Sequence, residues 1–365
     1  MKKIYFDILK TLEDNGYEAY IVGGFVRDKL LGKESSDIDM CTSATPKDML
    51  KIFKNNIKIV EEYGAVKLKL NDNVIDITTF RTEENYLNNK PTNITYIKSL
   101  KEDLIRRDFT INTICLDKDS NIIDLLNGKT DLYNKLLRVV GNVEVKMKED
   151  TTRMLRSLRF MSLYDFELED ELYEYIISHK EDFSKINYMK RKEEMEKLFK
   201  GNKVKPFLDF IKKYDIEEYL GIKSNNFVET KTVVGVWAQL DFDDNYQFNK
   251  LEKESIDQVK ELVKKHFIEP IDVYKYGLYI TQIAGDILHI NKEEINQIYQ
   301  SLPIKNIKEL NISFEELESI LGSKINKKQL GQILKKLETF VINGTIENKR
   351  EKLIEKAMEI KTWIK

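Results

Sequence analysis

The sequence predicts an α+β amino-terminal region, in which a mixed sheet is combined with helices, followed by a chain that is all-α to its end. Glycine and proline are scarce, at 15 and 5 of 365 residues, while Lys, Glu, Leu and Ile abound, which favours helix. Short alternating or apolar segments are confined to about the first 140 residues. Beyond Glu144, apolar positions recur almost everywhere with helical spacing.

The amino-terminal elements follow from local pattern. Residues 1–18 predict a helix, because apolar side chains recur at helical spacing until Asn15-Gly16. The apolar run at 20–22 predicts a strand, and Gly23-Gly24 separates it from a helix over 25–31. Further strands are predicted by alternating or apolar patterns at residues 37–40, 65–70, 74–79 and 121–124.

The second half of the chain is predicted to be a series of helices with polar or glycine-containing breaks. The helices cover residues 149–165, 168–180, 190–213, 250–265, 270–285, 292–301, 314–321 and 326–341. Breaks are predicted at Gly201-Asn202, near Gly221, at 241–245 and near Pro303.

Composition argues against several classes of protein. The net charge is −2, so any surface that binds nucleic acid must be local. Two cysteines, Cys41 and Cys115, and three scattered histidines argue against a disulfide scaffold and a zinc site. No run of 18 apolar residues occurs and the start of the chain is amphipathic, so we expect a cytoplasmic protein without membrane contact.

A glycine pair stands between the first predicted strand and the next helix, in the run GGFVRD at 23–28. Glycines at such a junction let the backbone approach a phosphate, and the helix N-terminus faces the anion. Arg27 falls on the first turn of this helix, where its guanidinium can bind a phosphate oxygen. Taken alone, a glycine pair is more often an ordinary turn, so the signal depends on the residues that come after it in the chain.

Two aspartates, Asp37 and Asp39, stand on the next predicted strand. Residues i and i+2 of a strand share a face, so the carboxylates point together while Ile38 points into the core. Converging carboxylates suit Mg²⁺, and Asp76 on another strand is a possible third ligand. A lone Asp-x-Asp is usually a surface pair, but after the glycine motif it predicts a two-metal site for phosphoryl transfer.

The helix predicted over 149–165 carries one acid and three arginines at intervals of three residues: Asp150, Arg153, Arg156 and Arg159. Side chains three apart can touch one planar ligand. A carboxylate accepts from an exocyclic amine and a guanidinium donates to a ring nitrogen. Cytosine and adenine both present an amine beside a ring acceptor, whereas uracil and guanine present the reverse. One Asp–Arg pair can therefore select C and A, although the isolated pattern is typical of a solvated ion pair.

The segment IVGGFVRDKLLGKESSDIDM at 21–40 resembles the head-domain signature of class II tRNA nucleotidyltransferases and bacterial poly(A) polymerases. These families belong to the polymerase-β-like nucleotidyltransferase superfamily. The resemblance continues, in the family's order, at residues 75–86, 104–114, 124–141 and 149–160, with weaker similarity at 314–322 and 335–354. It implies a nucleotidyltransferase head followed by an all-α neck, body and tail.

The resemblance implies roles for the catalytic motif. Gly24 and Arg27 would bind the nucleotide triphosphate. Asp37 and Asp39 would hold Mg²⁺ and activate the 3′-hydroxyl of the RNA.

The resemblance also implies how the rest of the nucleotide is bound. Arg107 belongs to a motif that contacts the sugar and phosphates, and Asp108 and Asn112 would help recognise the ribose. Asp150 and Arg153 would read the base edge. The remaining arginines of that helix would face the nucleotide or its phosphates, namely Arg156 and Arg159.

Four regions are expected from the resemblance: a catalytic, Mg²⁺-binding head, a base-recognition neck, a helical body and a tRNA-binding tail, at residues 1–140, 141–205, 206–300 and 301–365.

Two basic stretches, 190–213 and 324–337, are candidate contacts for the tRNA backbone, although either could be an ordinary solvated helix face. Residues 81–100 resemble a flexible loop that helps switch specificity from C to A, and otherwise would be a mobile surface loop.

The function expected from the resemblance is addition of C, C and A to the 3′ end of tRNA from CTP and ATP, with release of pyrophosphate. No protein partner is expected. One alternative is an ATP-only enzyme, either A-adding or a poly(A) polymerase. The other is a catalytically silent RNA-binding protein on the same scaffold, against which the intact pair Asp37 and Asp39 argues.

Overall fold

The computed structural model describes residues 3–35, 38–54, 57–60, 64–70, 73–87, 89–201, 203–322 and 325–363. The chain forms two compact units, one of residues 1–223 with 242–246 and the other of 224–241 with 247–365. The four regions expected from the sequence have other boundaries, since the body expected over 206–300 includes residues of both units, and they stay a prediction. Within the described ranges, no helix combines the length and apolar character that crossing a membrane requires.

The amino-terminal part alternates strands and helices, as the sequence predicts. In chain order its elements are α1 (Lys3–Asp14), β1 (Ala19–Val22), α2 (Gly24–Leu30), β2 (Asp39–Thr42), α3 (Pro46–Phe53), β3 (Ile57–Val60), β4 (Ala65–Leu70), β5 (Asn73–Thr79), β6 (Arg81–Leu87), β7 (Lys90–Tyr96), α4 (Leu100–Ile105), β8 (Cys115–Leu116), β9 (Ile122–Ile123), α5 (Gly128–Tyr133) and β10 (Leu136–Leu137).

A mixed sheet organises this part. Its strand order over the described residues is β3-β4-β5-β2-β1-β8-β9. Strand β2 is antiparallel to β1 and parallel to β5, which confirms the predicted mixed sheet. The apolar side chains of the central strands form its core, and Ile21, Met40 and Ile77 are buried. The site therefore rests on a strand that has a partner on each edge.

The predicted loop over 81–100 is wrong as secondary structure. Strands β6 and β7 form a two-stranded antiparallel hairpin in which Arg81 lies opposite Tyr96 and Leu87 lies opposite Lys90. Asn89 takes a positive φ of 64° at the turn, a conformation that Asn tolerates better than most residues. Polar composition obscured the strands, because this hairpin is largely exposed and has little apolar alternation.

The rest of the chain is mainly helical, as predicted. Its elements are α6 (Val143–Glu149), α7 (Thr152–Tyr164), β11 (Glu167–Leu168), α8 (Asp170–Ser178), α9 (Tyr188–Phe199), α10 (Lys205–Lys213), α11 (Glu217–Leu220), β12 (Ile222–Ser224), α12 (Val233–Ala238), β13 (Leu240–Phe242), α13 (Lys250–Lys265), α14 (Pro270–Leu288), α15 (Lys292–Ser301), α16 (Phe314–Leu321), α17 (Lys327–Ile342) and α18 (Arg350–Trp363). Helices α13, α15 and α16 have the predicted bounds.

The helix predicted over 149–165 is wrong at its start. Helix α6 ends at Glu149, Asp150 is extended, and α7 begins only at Thr152. The Asp150 carboxylate explains the break, because its Oδ1 accepts from the Thr152 backbone N at 2.9 Å and from the Thr152 hydroxyl at 2.5 Å. These bonds satisfy donors at the start of α7 that have no partner within the helix.

Candidate active site

Gly23 forms a sharp corner between β1 and α2. Its φ of 84° and ψ of −144° lie in a region that side chains rarely adopt. A Cβ atom placed on Gly23 would lie 3.6 Å from Asp39 Oδ2 and 3.9 Å from Arg107 Nη1. The predicted strand–glycine–helix junction is therefore confirmed, and it brings a carboxylate and a guanidinium to the same corner.

Asp39 is exposed at the first position of β2, while Ile38 and Met40 on either side are buried. Asp76 of β5 is registered with Asp39 across the parallel pair, so the two side chains share one face of the sheet. The Asp76 carboxylate lies 3.0 Å from Lys67 Nζ, and both side chains are about half exposed. Asp37 lies outside the described residues, so its predicted place beside Asp39 is not observed.

Arg107 follows α4 and reaches the glycine corner. Its side chain is only 16% exposed, and Nη2 lies 3.3 Å from Asp103 Oδ2. Burial by itself lowers the pKa of this guanidinium, but several neighbouring groups, of which the buried Asp103 carboxylate is the foremost, together raise it above its ordinary value. Arg107 is thus a fixed positive charge at the site.

A second set of ion pairs connects this arginine to the hairpin. Asp103 Oδ1 also accepts from Arg106 Nε at 2.9 Å, and Arg106 Nη1 lies 3.0 Å from Glu83 of β6. Glu83 in turn accepts from Arg81 Nε at 2.6 Å. The buried carboxylates Asp103 and Glu83 therefore tie the hairpin base to the loop that carries Arg107.

Arg27 is buried, and its guanidinium is already engaged inside the protein. Nη1 donates to Asn112 Oδ1 at 2.8 Å, and Nε and Nη2 donate to Asp28 Oδ1 at 2.9 and 2.8 Å. Nη2 also donates to the Tyr164 hydroxyl at 3.1 Å. A Cβ atom placed on Gly24 would lie 3.5 Å from Nη2, so these groups remain next to the glycine corner.

Asn112 connects Arg27 to Asp108. Its Nδ2 donates to Asp108 Oδ1 at 3.1 Å, and Arg156 Nη2 lies 2.5 Å from Asp108 Oδ2. Burial by itself raises the pKa of Asp108, but Arg156 and the Asn112 amide bring it below its ordinary value. The two residues predicted to recognise ribose thus belong to a buried chain of contacts that runs from α2 to α7.

The predicted base-reading residues lie close along the chain but not on one helix face. Asp150 precedes α7, and Arg153 in its first turn is buried. Arg153 Nη1 donates to the Lys146 carbonyl and to Glu149 Oε2, both at 2.7 Å. Arg156 is partly exposed, whereas Arg159 donates to Glu194 of α9 at 3.0 Å.

The hairpin turn contacts this region directly. Asn89 Oδ1 accepts from the Thr151 hydroxyl at 3.1 Å and from the Thr151 backbone N at 3.3 Å. Thr151 lies between Asp150 and the first residue of α7. The turn is therefore bonded to the residue that links the two parts of the predicted base-reading segment.

The basic stretch 190–213 is not a continuous surface. Arg191 is buried, and it donates to the backbone carbonyls of Ile186, Leu220 and Ser184. A buried arginine satisfied by carbonyls cannot reach an RNA backbone, so Arg191 adds nothing to the candidate RNA contact of this stretch, which stays a prediction. Several lysines of the two stretches are exposed, among them Lys200, Lys212, Lys213, Lys327, Lys328 and Lys335.

The sequence analysis did not identify the residues that contact the predicted site residues and fix their side chains. Asp103, Glu83 and Tyr164 contact predicted site residues, but they carry no motif of their own. The arginine pair Arg106-Arg107 was a usable signal, because buried guanidinium groups require carboxylate partners.

Two parts of the chain match known families. Residues 19–138 match the Poly A polymerase head domain, and residues 240–357 match tRNA nucleotidyltransferase domain 2. The first match contains the glycine corner, Asp39 and Arg107.

Full-length similarity extends these matches. The chain is 34% identical to the CCA-adding enzyme of Limosilactobacillus reuteri, over 97% of this chain and 95% of that protein. It is 33% identical to the CCA-adding enzyme of Streptococcus uberis, over 94% and 93% of the two chains. The fold resembles the crystal structure of the Bacillus stearothermophilus CCA-adding enzyme in complex with CTP, with a TM-score of 0.84 and 24% identity over 100% and 99% of the chains.

Proposed function

The chain belongs to the family of CCA-adding enzymes, and from this premise we propose that it adds C, C and A to the 3′ end of tRNA, using CTP and ATP and releasing pyrophosphate. The observation that carries the proposal is 34% identity to a CCA-adding enzyme over nearly the whole chain. The corner formed by Gly23, Asp39 and Arg107 supports the proposal. At this corner a nucleotide can approach the backbone closely, and a carboxylate and a guanidinium lie beside it.

The reaction forms a bond between the RNA 3′ oxygen and the α-phosphorus of the nucleotide, and it breaks the bond to pyrophosphate. We propose that Gly23 and Gly24 let the triphosphate approach the backbone closely. We propose that Arg107 binds the triphosphate through its positive charge. Arg107 suits this role because it stays protonated and is held by Asp103. We assign Arg27 to the same end of the nucleotide, where one Nη1 hydrogen is left after its contacts within the protein.

Carboxylate oxygens on one face of the sheet fit a magnesium ion. Asp39 and Asp76 supply such oxygens at registered positions, and Asp37 is the further ligand predicted from the sequence. When bound, Mg²⁺ would supply charge neutralisation at the phosphates and a lower pKa for the attacking hydroxyl. The Asp39 carboxylate itself places negative charge at the glycine corner.

Base selection is assigned to Asp150 and Arg153. Both hydrogen bonds from Thr152 go to Asp150 Oδ1, so we assign Oδ2 to the exocyclic amine of cytosine or adenine. Arg153, held by Glu149 and the Lys146 carbonyl, would donate to the ring nitrogen beside that amine. Uracil and guanine would place a ring N–H against the Arg153 donor and a carbonyl against the Asp150 carboxylate. The Asp150–Arg153 pair therefore rejects both bases.

The test uses three tRNA substrates that lack all three terminal nucleotides, the last two, or only the final A. We expect CTP to extend the first two and ATP to extend the third once. Extension of only the third substrate by ATP would identify an A-adding enzyme. Repeated A addition would identify a poly(A) polymerase, and no extension of any substrate would contradict the proposal.

The contact between the hairpin turn and Thr151 predicts a selective effect on A addition. Asn89→Ala removes the acceptor of two hydrogen bonds beside Asp150. We expect A addition to fall about tenfold more than C addition, because two bonds of about 1 kcal/mol each can supply the ~1.4 kcal/mol that a tenfold change requires. Deleting the turn, within 84–93, should show the same direction more strongly.

Single-nucleotide extension of tRNAs that lack the last two nucleotides or only the final A measures this ratio. Asn93→Ala is the matched control, since Asn93 is an exposed asparagine of the same hairpin. Equal losses on both substrates would indicate a general loss of stability. Unchanged rates would show that the hairpin is a passive connector.

A further inference from the structure

The carboxyl-terminal half of α7 carries an aromatic surface against which Arg27 packs. The guanidinium carbon lies 4.9 Å from the ring centroid of Phe160 and 4.9 Å from that of Tyr164. The two rings are themselves in contact, with centroids 5.7 Å apart. A guanidinium over aromatic faces gains a cation–π attraction that grows as water is excluded, and Arg27 is 6% exposed.

Tyr164 differs from Phe160 in supplying a polar contact as well. Its hydroxyl accepts from Arg27 Nη2 at 3.1 Å, and its ring stacks on Phe166 with centroids 5.7 Å apart and planes 14° from parallel. Phe166 is buried, so the tyrosine ring is supported from below. The ring is therefore a fixed platform with one hydrogen bond of defined direction.

A second cation reaches the same ring. Lys33 Nζ lies 3.9 Å from the Tyr164 centroid. Arg27 lies in α2, and Lys33 lies just beyond the end of that helix, on the chain that leads toward Asp39. One side chain of α7 thus holds both ends of the segment 27–33.

We propose that Tyr164 is a positioning residue that fixes Arg27, and with it the segment 27–33, for binding of the nucleotide triphosphate. The proposal rests on the proposed function for the reaction itself. It follows from the geometry at Arg27, where three partners leave the guanidinium a single orientation beside Gly24. Asn112 and Asp28 bind the guanidinium in its plane, and the rings of α7 limit its movement out of that plane.

If Tyr164 acts on binding of the triphosphate, its loss has a distinct effect on the kinetics. The triphosphate is common to CTP and ATP, so loss of Tyr164 should weaken both nucleotides equally. Loss of a base-reading residue should instead change the ratio between nucleotides. A general packing defect should lower the folded fraction, and hence kcat, while leaving the KM of the folded enzyme unchanged.

The test compares Tyr164→Phe and Tyr164→Leu in the full chain. We expect Tyr164→Leu to raise the KM of both CTP and ATP about tenfold, because it removes the ring and the hydroxyl. Tyr164→Phe keeps the ring and should raise both values only about two- to threefold. The ratio of C addition to A addition should stay at the wild-type value in both variants.

Tyr173→Leu is the matched control, because Tyr173 of α8 also packs on aromatic neighbours, Phe210 and Tyr214, away from Arg27. Its KM values should match the wild type. If Tyr164→Leu does not fold, Tyr164→Phe and equilibrium binding of CTP and ATP to that variant still decide the question.

Wild-type KM and binding in folded Tyr164 variants would overturn the proposal, as would a change confined to one nucleotide. A wild-type protein that extends no tRNA would instead contradict the proposed function, and the binding measurement would then test Tyr164 separately.

Discussion

Replacing Asp39 by alanine should abolish transfer of both C and A while leaving the fold intact. Asp39 is the described carboxylate at the glycine corner, and it shares its face of the sheet with Asp76. Loss of one of the carboxylates that hold Mg²⁺ and the reacting hydroxyl should lower the rate by roughly 10³ or more. We expect the same for Asp37→Ala, on the sequence prediction that the two residues act as a pair.

The fold should tolerate Asp39→Ala because the side chain is exposed at a strand end, and the buried residues of β2 follow it. Single-turnover rates with each nucleotide, measured beside thermal unfolding, separate the loss of chemistry from the loss of structure. Asp119→Ala removes another exposed carboxylate of the same unit and should keep full activity. Full activity of Asp39→Ala would overturn the assignment of the active site.

Asp76→Asn addresses the third carboxylate. If Asp76 is a ligand, the variant should lose activity steeply, and the loss should be partly relieved by raising the Mg²⁺ concentration. If Asp76 only pairs with Lys67 on a half-exposed surface, the change should be small, since such pairs contribute at most about 1 kcal/mol.

The catalytic motif was predictable because its signals are local. Gly23 needs a positive φ at a strand–helix junction, and the alternation around Ile38 and Asp39 marks a strand with one buried face. Both can be recognised from a few consecutive residues, because backbone conformation and strand periodicity act over that range.

The hydrogen bonds that fix the side chains around the motif were not predictable, because they join residues that are far apart in the chain. Arg27 contacts Asn112 and Tyr164, which follow it by 85 and 137 positions, and Asn89 contacts Thr151, 62 positions later. Asn, Tyr and Thr carry no pattern that identifies such partners. Tertiary packing brings these partners together, with Tyr164 supplied by α7 and Asn112 by the chain between α4 and β8.

Two errors in the helix prediction have physical causes. The helix predicted over 149–165 starts too early, because the helical spacing of the segment continues back to Asp150, while the carboxylate that precedes α7 acts through hydrogen bonds to Thr152 rather than through hydrophobicity. Helix α18 was missed because its buried face depends on few residues, chiefly Leu353, Ala357 and Ile360, within a strongly charged sequence.

Replacing Asp150 by alanine should relax nucleotide selection as well as slow the reaction. The change removes the carboxylate that we assign to the exocyclic amine of cytosine and adenine, while Arg153 keeps its contacts with Glu149 and the Lys146 carbonyl. Loss of one such hydrogen bond is worth about 1–3 kcal/mol, so incorporation of UTP and GTP should rise about 5- to 150-fold relative to CTP and ATP.

Asp150→Ala also removes the bonds to Thr152 at the start of α7, at a cost of about 1 kcal/mol of stability. Asn187→Ala is the control for this effect, because the Asn187 side chain caps α9 through the Lys190 backbone N. It should cost similar stability without changing nucleotide selection. If Asp150→Ala slows all four nucleotides equally, as a capping defect would, Asp150 is structural and recognition of the base edge must be assigned to other residues.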